Sequence, residues 1–176
     1  QYIDPGYVYN GVLAGLVSIT SPCAVVSPWG AILVGAIGAF VYVGASKGVK
    51  AAGIDDAVDA FAVHGACGMW GVIACGLFAT PFYYGVSYYS DRADDCAGVF
   101  FGGKASGSLA AAFACVFVIL AWVGSTMGLL FGTLKATGLL RVSQEIEDAG
   151  LDDSKHGGAM SEVVAASVDG VKATEA

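Results

Sequence analysis

An all-α polytopic membrane protein is the fold class this sequence predicts, and three observations predict it. Of 176 residues, 56% are hydrophobic and only 13% are charged, whereas a soluble domain carries about a quarter charged residues. The mean hydropathy is +0.70. Residues 5–46, 60–90 and 105–134 hold no Asp, Glu, Lys or Arg, and a helix that crosses a bilayer needs roughly 20 residues without strong charge. Backbone polar groups in lipid must be satisfied internally, and these runs lack the alternation of barrel strands, so the segments are expected to be helices.

Taken in order, the first charge-free run is too long for one helix and is interrupted at "TSPCAVVSP", where Pro22 and Pro28 remove backbone donors and favour a turn. It therefore divides into spans at about 7–21 and 28–46, the first of them short. The other two runs place spans at about 58–79 and 107–134, so residues 1–140 are expected to hold four transmembrane helices. Small residues recur along them at helical spacing: Gly11 with Gly15, Gly35 with Gly38, and Gly65, Gly68 and Gly71. Such rows let helix backbones approach closely. Tyr83, Tyr84, Tyr88 and Tyr89 suit an interfacial aromatic belt, and Trp29, Trp70 and Trp122 read as packing residues.

Residues 141–176 are a different kind of segment, a tail with eight acids against three bases that holds −5 of the net charge of −7. With four spans both chain ends share a side. That side carries Lys47, Lys50, Lys135 and Arg141 against Arg92 and Lys104 on the other, which points to a cytoplasmic C-terminus. The chain starts at Gln1 with no basic flank before its first apolar stretch, so a secretory signal is not indicated and a processed or partial product is expected. Five cysteines at irregular spacing, without a CxxC pair, imply neither a disulfide framework nor a zinc site. No nucleophile–base pair or phosphate loop is present, and the acidic balance disfavours nucleic acid. An enzyme, a metal site, a cofactor and a nucleic-acid partner are accordingly not expected.

The chemistry-bearing position is His64, one of two histidines, in "IDDAVDAFAVHGACGMWG" at 54–71. On an α-helix its neighbours would be Ala60, Cys67, Gly68 and Gly71, which leaves space beside the ring. A neutral imidazole offers one donor and one acceptor, and polar side chains in a span are functional candidates. Two readings stand for it: a pore-lining group, or a structural histidine bonded to a neighbouring helix. Asp55, Asp56 and Asp59 precede it, either as N-terminal caps interacting with the helix dipole or as groups at an inner mouth.

"DDAVDAFAVHGACGMWGVIACGLFA", 55–79, resembles the signature helix of the ammonium transporter (Amt/Rh) family, whose pattern reads DDPxDxFxVHGxxGxWGxxxTGLFA. The resemblance extends back through "NGVLAGLVSITSPCAVVSPWGAILVGAIGAF", 10–40, and forward through "GLLRVSQEIEDAGLDDSKHGG", 138–158. Departures are Ala57 where the family has proline, Cys75 near its threonine, and the loop "YYSDRADDCAGVFFGG" at 88–103.

That resemblance implies an eleven-helix, inverted-repeat transporter of which these four spans correspond to the last four helices. His64 is then similar to the second histidine of the family's twin pair, with Ala60 and Gly68 beside it in the pore wall. The implied function is transmembrane transport of ammonium, recruited outside and passed as ammonia, with or without a separate proton, through a histidine-lined hydrophobic pore. Implied partners are ammonium or ammonia, the lipid bilayer of the plasma membrane, and two further copies in a homotrimer. The tail would contact the neighbouring subunit, with Gly150, Asp152 and Ser154 as regulatory residues and Ser154 where plant-type relatives carry a phosphorylated threonine. The alternative from another class is a non-transporting membrane subunit, for assembly or ammonium sensing, derived from the same family.

Overall fold

The computed structural model describes residues 5–150. They form helix α1 (Pro5–Thr20), α2 (Pro28–Ala51), a π-helical turn (Phe61–Ala66) running into α3 (Cys67–Phe78), then α4 (Pro81–Ser87). Short 3-10 turns follow at Ser90–Arg92 and Val99–Phe101, and a second π-helical turn (Ala105–Leu109) leads into α5 (Ala110–Ala136) and α6 (Gln144–Ala149). Among the described residues there is no strand. The all-α membrane class is confirmed by three helical segments long and apolar enough to cross a bilayer, Pro28–Ala51, Phe61–Phe78 and Gly107–Ala136. The 16 residues of α1 fall short of that length.

Helix ends follow local chemistry. Ser27 accepts a hydrogen bond from the Gly30 amide at 3.3 Å with Pro28 in the first helical position, so α2 starts at residue 28, where the second span was expected to begin. Thr80 and Pro81 repeat the arrangement at α4, a helix whose apolar run gave no separate sign of it. At the other end α2 runs on to Ala51, past Lys47 and Lys50, and α5 runs past Lys135. Loss of the charge-free run marks the edge of hydrocarbon, not the end of the helix, because lysine stems reach along the helix to the interface.

The chain forms two units, residues 1–122 and 123–176. In the first, α1, α2 and the Phe61–Phe78 segment pack on one another. One core cluster joins Ala14, Tyr42, Ala62, Val63 and Cys67, and a second joins Val26, Val34, Ala74 and Phe78. The small-residue rows divide sharply. Gly38 and Gly71 both close on Ser18 of α1, whereas Gly11, Gly15 and Gly35 have no heavy atom within 4 Å of where a Cβ would stand. Ser18 is fully buried and donates to the Ala14 carbonyl at 2.7 Å, so the three backbones meet around a satisfied hydroxyl. Trp70 locks the second cluster by donating from Nε1 to the Val34 carbonyl at 3.0 Å. In the second unit, Gly138 at φ 74 ends α5, with the Leu139 amide donating to the Leu134 carbonyl, and Arg141 pairs with Glu147 of α6.

Large apolar side chains stay exposed: Ile32 and Phe40 on α2, Phe117 and Trp122 on α5. Such a surface is expected to meet lipid or further helices rather than water.

Candidate functional site

The site begins at the turn before the π-helical segment. Asp59 has φ 56, a left-handed conformation that few residues other than glycine adopt, and its surroundings explain why it is held there. Its carboxylate accepts from Ser46 Oγ at 2.8 Å and from Tyr42 OH at 3.0 Å, with Lys50 Nζ 3.6 Å away. Tyr42 and Ser46 are almost fully buried. Lys50 also lies 3.5 Å from Tyr7 OH and 5.2 Å from that ring's centroid, so α1 joins the cluster through Tyr7. The Ser46 hydroxyl first, then the Tyr42 hydroxyl and the Lys50 ammonium, favour the ionised carboxylate by more than its partial burial disfavours it. The Asp59 carboxyl, just outside the Phe61–Phe78 span, is thereby held below the usual carboxylate range.

Asp56 has the capping role. Its two oxygens accept from the Ala60 amide at 2.8 Å and the Phe61 amide at 2.9 Å, where a helix leaves donors unpaired and favours negative charge. Asn10 of α1 reaches the Val58 carbonyl at 3.5 Å. Asp55 is exposed. The three aspartates thus do three different things: Asp56 caps, Asp59 clamps the turn to α2, and Asp55 faces outward.

Two neighbours expected beside His64 are corrected. The α-helical spacing placed Cys67 and Gly71 next to the ring, but Cys67 is fully buried with Sγ 3.5 Å from the Gly38 carbonyl, and Gly71 is closed against the Ser18 backbone. The reason is the π-helical turn at Phe61–Ala66, whose wider i→i+5 winding shifts the face on which following residues emerge. Ala62 and Val63 are buried against α1 and α2, while Ala60, Phe61 and His64 are exposed. Gly68 is partly exposed, and a Cβ placed there would meet only Val17 Cγ1, at 4.0 Å. His64 is therefore exposed in this chain, as are Ala60 and Phe61, with Gly68 partly exposed, and Asp56 and Asp59 hold the turn that precedes it.

Tyr42 and Ser46 escaped the sequence reading, and Lys50 entered it only as a loop charge, although a signal was there. The three recur every four residues and so form a polar stripe along α2. Gly150, at φ 86, ends α6; Asp152 and Ser154 lie outside the described residues. Among the described residues, no three His, Cys, Asp or Glu side chains converge as a metal site.

Comparison with known proteins gives one consistent result. The model of the Ammonium Transporter Family matches residues 2–161. Ammonium transporter 1 member 2 of Arabidopsis thaliana is 44% identical over 151 residues, covering 86% of this chain and 29% of that protein. Ammonium transporter 1 member 1 of the same plant is 42% identical, with 86% and 30% covered. Ammonium transporter 1 member 3 of Solanum lycopersicum is 42% identical over 153 residues, with 86% and 33% covered. The chain thus spans about a third of the length of the relatives it matches.

Proposed function

The chain belongs to the ammonium transporter family, and on that premise we propose that its helices form one wall of an ammonium-conducting pore in which His64 faces the lumen. The observation that carries this reading is the exposure of His64, with the small residues Ala60 and Gly68 four positions to either side of it, after a turn anchored by two aspartates. Anchoring matters because a proton relay requires the ring nitrogens to be held within hydrogen-bond reach of a passing molecule.

The mechanism follows from the cost of charge. An ammonium group at the centre of a bilayer costs roughly 3 kcal/mol even on the mildest scale. Ammonia avoids that cost. A neutral imidazole can donate to its lone pair or accept from its N–H, and Ala60 and Gly68 leave room for the passage beside the ring. A partner histidine from segments outside this chain would complete the relay, allowing a proton to travel separately by exchange between ring nitrogens. The assembly is a plasma-membrane homotrimer of eleven-helix subunits. The tail from 141 onward lies in the cytoplasm and docks on the next subunit, with Gly150, Asp152 and Ser154 in the coupling segment.

The test is His64→Ala in the full-length protein, read as ammonium-evoked current in a voltage-clamped cell. Current is expected to vanish or to uncouple from ammonia flux. Unchanged flux and selectivity would take His64 out of the conduction path.

A further inference from the structure

The loop that departs most from the family pattern, 88–103, builds something the transport reading does not use. Two cavities lie where α3 ends and α5 begins. The first, about 430 Å³, is walled by Val72 and Gly76 of α3 and by Ala111, Ala112 and Cys115 of α5. The second, about 470 Å³, is walled by Arg92, Asp94, Asp95 and Lys104. Arg92, Asp95 and Gly107 line both, so the two volumes adjoin. Each is of the size that holds a small-molecule ligand.

The composition of this double cleft changes with depth. From Ala111 to Cys115 the wall runs about 6 Å along α5 at 1.5 Å per residue, inside a segment apolar enough to span the membrane. All four charged side chains instead belong to the connection between the spans Phe61–Phe78 and Gly107–Ala136. Among the described residues neither Arg92 nor Lys104 forms an ion pair with Asp94 or Asp95. Two cations and two carboxylates around one cavity, with no ion pair between them among the described residues, complement a ligand carrying both signs.

We propose that this cleft binds a phospholipid whose headgroup carries a phosphate and a primary ammonium, with one acyl chain in the deeper cavity. Arg92 and Lys104 take the phosphate, since guanidinium and ammonium donors form charge-assisted bonds to phosphate oxygens. Asp94 and Asp95 accept from the ammonium. A purely anionic lipid would bring the same phosphate but meet two uncompensated carboxylates, and a soluble zwitterion would leave the apolar arm unfilled. The inference stands on the membrane fold and is independent of His64.

The experiment is native mass spectrometry of the delipidated full-length protein in detergent, titrated with phosphatidylethanolamine, phosphatidylglycerol or free phosphoethanolamine. Phosphatidylethanolamine is expected to bind saturably, at least fivefold more tightly than phosphatidylglycerol, with no retention of phosphoethanolamine at matched concentration. The double change Arg92→Gln with Asp95→Asn, on exposed positions, should weaken it fivefold or more. Ala111→Phe, which fills the deep arm from an exposed position, should do the same without altering binding of lipid elsewhere. Equal binding of the two lipids, tight binding of the free headgroup, unchanged affinity in both variants, or no saturable binding to the wild-type protein would each overturn the proposal. The last result is what a cleft filled by other segments of the full-length protein would give.

Discussion

Gly71→Ala is the most direct test of how the helix bearing His64 is held. A Cβ at Gly71 would stand 2.6 Å from the Ser18 carbonyl oxygen, 3.3 Å from its carbon and 3.5 Å from its Cα. Ordinary contact begins at 3.4 Å, so about 0.8 Å must be found. The obstacle is backbone and has no rotamer to change, so α1 and α3 must part. Forcing extra methyl volume into a packed contact costs typically about 1–3 kcal/mol, offset by the roughly 0.5–1 kcal/mol that alanine gains over glycine within a helix. The net expectation is a loss of about 1 kcal/mol. Gly48→Ala is the matched control: it is exposed, meets no atom within 4 Å, and should be neutral or stabilising by about 0.5 kcal/mol. Both are measured by reversible unfolding of the full-length protein in mixed micelles against rising dodecyl sulfate. Gly38→Ala sharpens the comparison, because its obstacle is the Ser18 side chain. Its cost should shrink when combined with Ser18→Gly, a non-additivity absent for Gly71→Ala. A Gly71→Ala protein as stable as Gly48→Ala would refute the close approach of α1 and α3.

Three further outcomes are expected. Asp56→Ala strips the acceptors from the Ala60 and Phe61 amides and should cost about 0.5–2 kcal/mol in the same unfolding assay, with Asp56→Asn costing less. For Asp59 the folded carboxyl titrates below its unfolded value. Its contribution is therefore complete above the ordinary carboxylate pKa and is lost as pH falls through the lower folded value. The stability gap between wild type and Asp59→Asn should accordingly be flat from about pH 7 to about pH 5 and close only under more acid conditions; a gap that closes near neutrality contradicts the assigned shift. Ser154→Asp places charge beside Asp152 and Asp153 and is expected to reduce ammonium-evoked current by releasing the tail, a switch that an unaltered current in the trimer would remove.

Much of the architecture could be read from the order of residues alone. Three long charge-free runs required helices in lipid, the Ser–Pro pair at 27–28 required a helix start once its capping role is considered, and the signature around His64 carried the family. The small-residue rows were visible too, but not their use: Gly38 and Gly71 close on Ser18, while a Cβ at Gly11, Gly15 or Gly35 would meet no heavy atom within 4 Å among the described residues. Likewise the three aspartates looked alike on paper. Spacing could not tell the cap, Asp56, from the clamp, Asp59, because the distinction depends on a left-handed turn that Tyr42, Ser46 and Lys50 stabilise from another helix.

Placement in a bilayer followed from the residues alone, since solvation of charge is a property each segment has in isolation, and the motif around His64 placed the chain with the ammonium transporters. Which face of the His64 helix stays open was settled by packing. That choice rests on the π-helical turn at Phe61–Ala66 and on contacts between α1, α2 and α3, and helix winding and cross-helix packing are properties of the assembled bundle that no single segment contains.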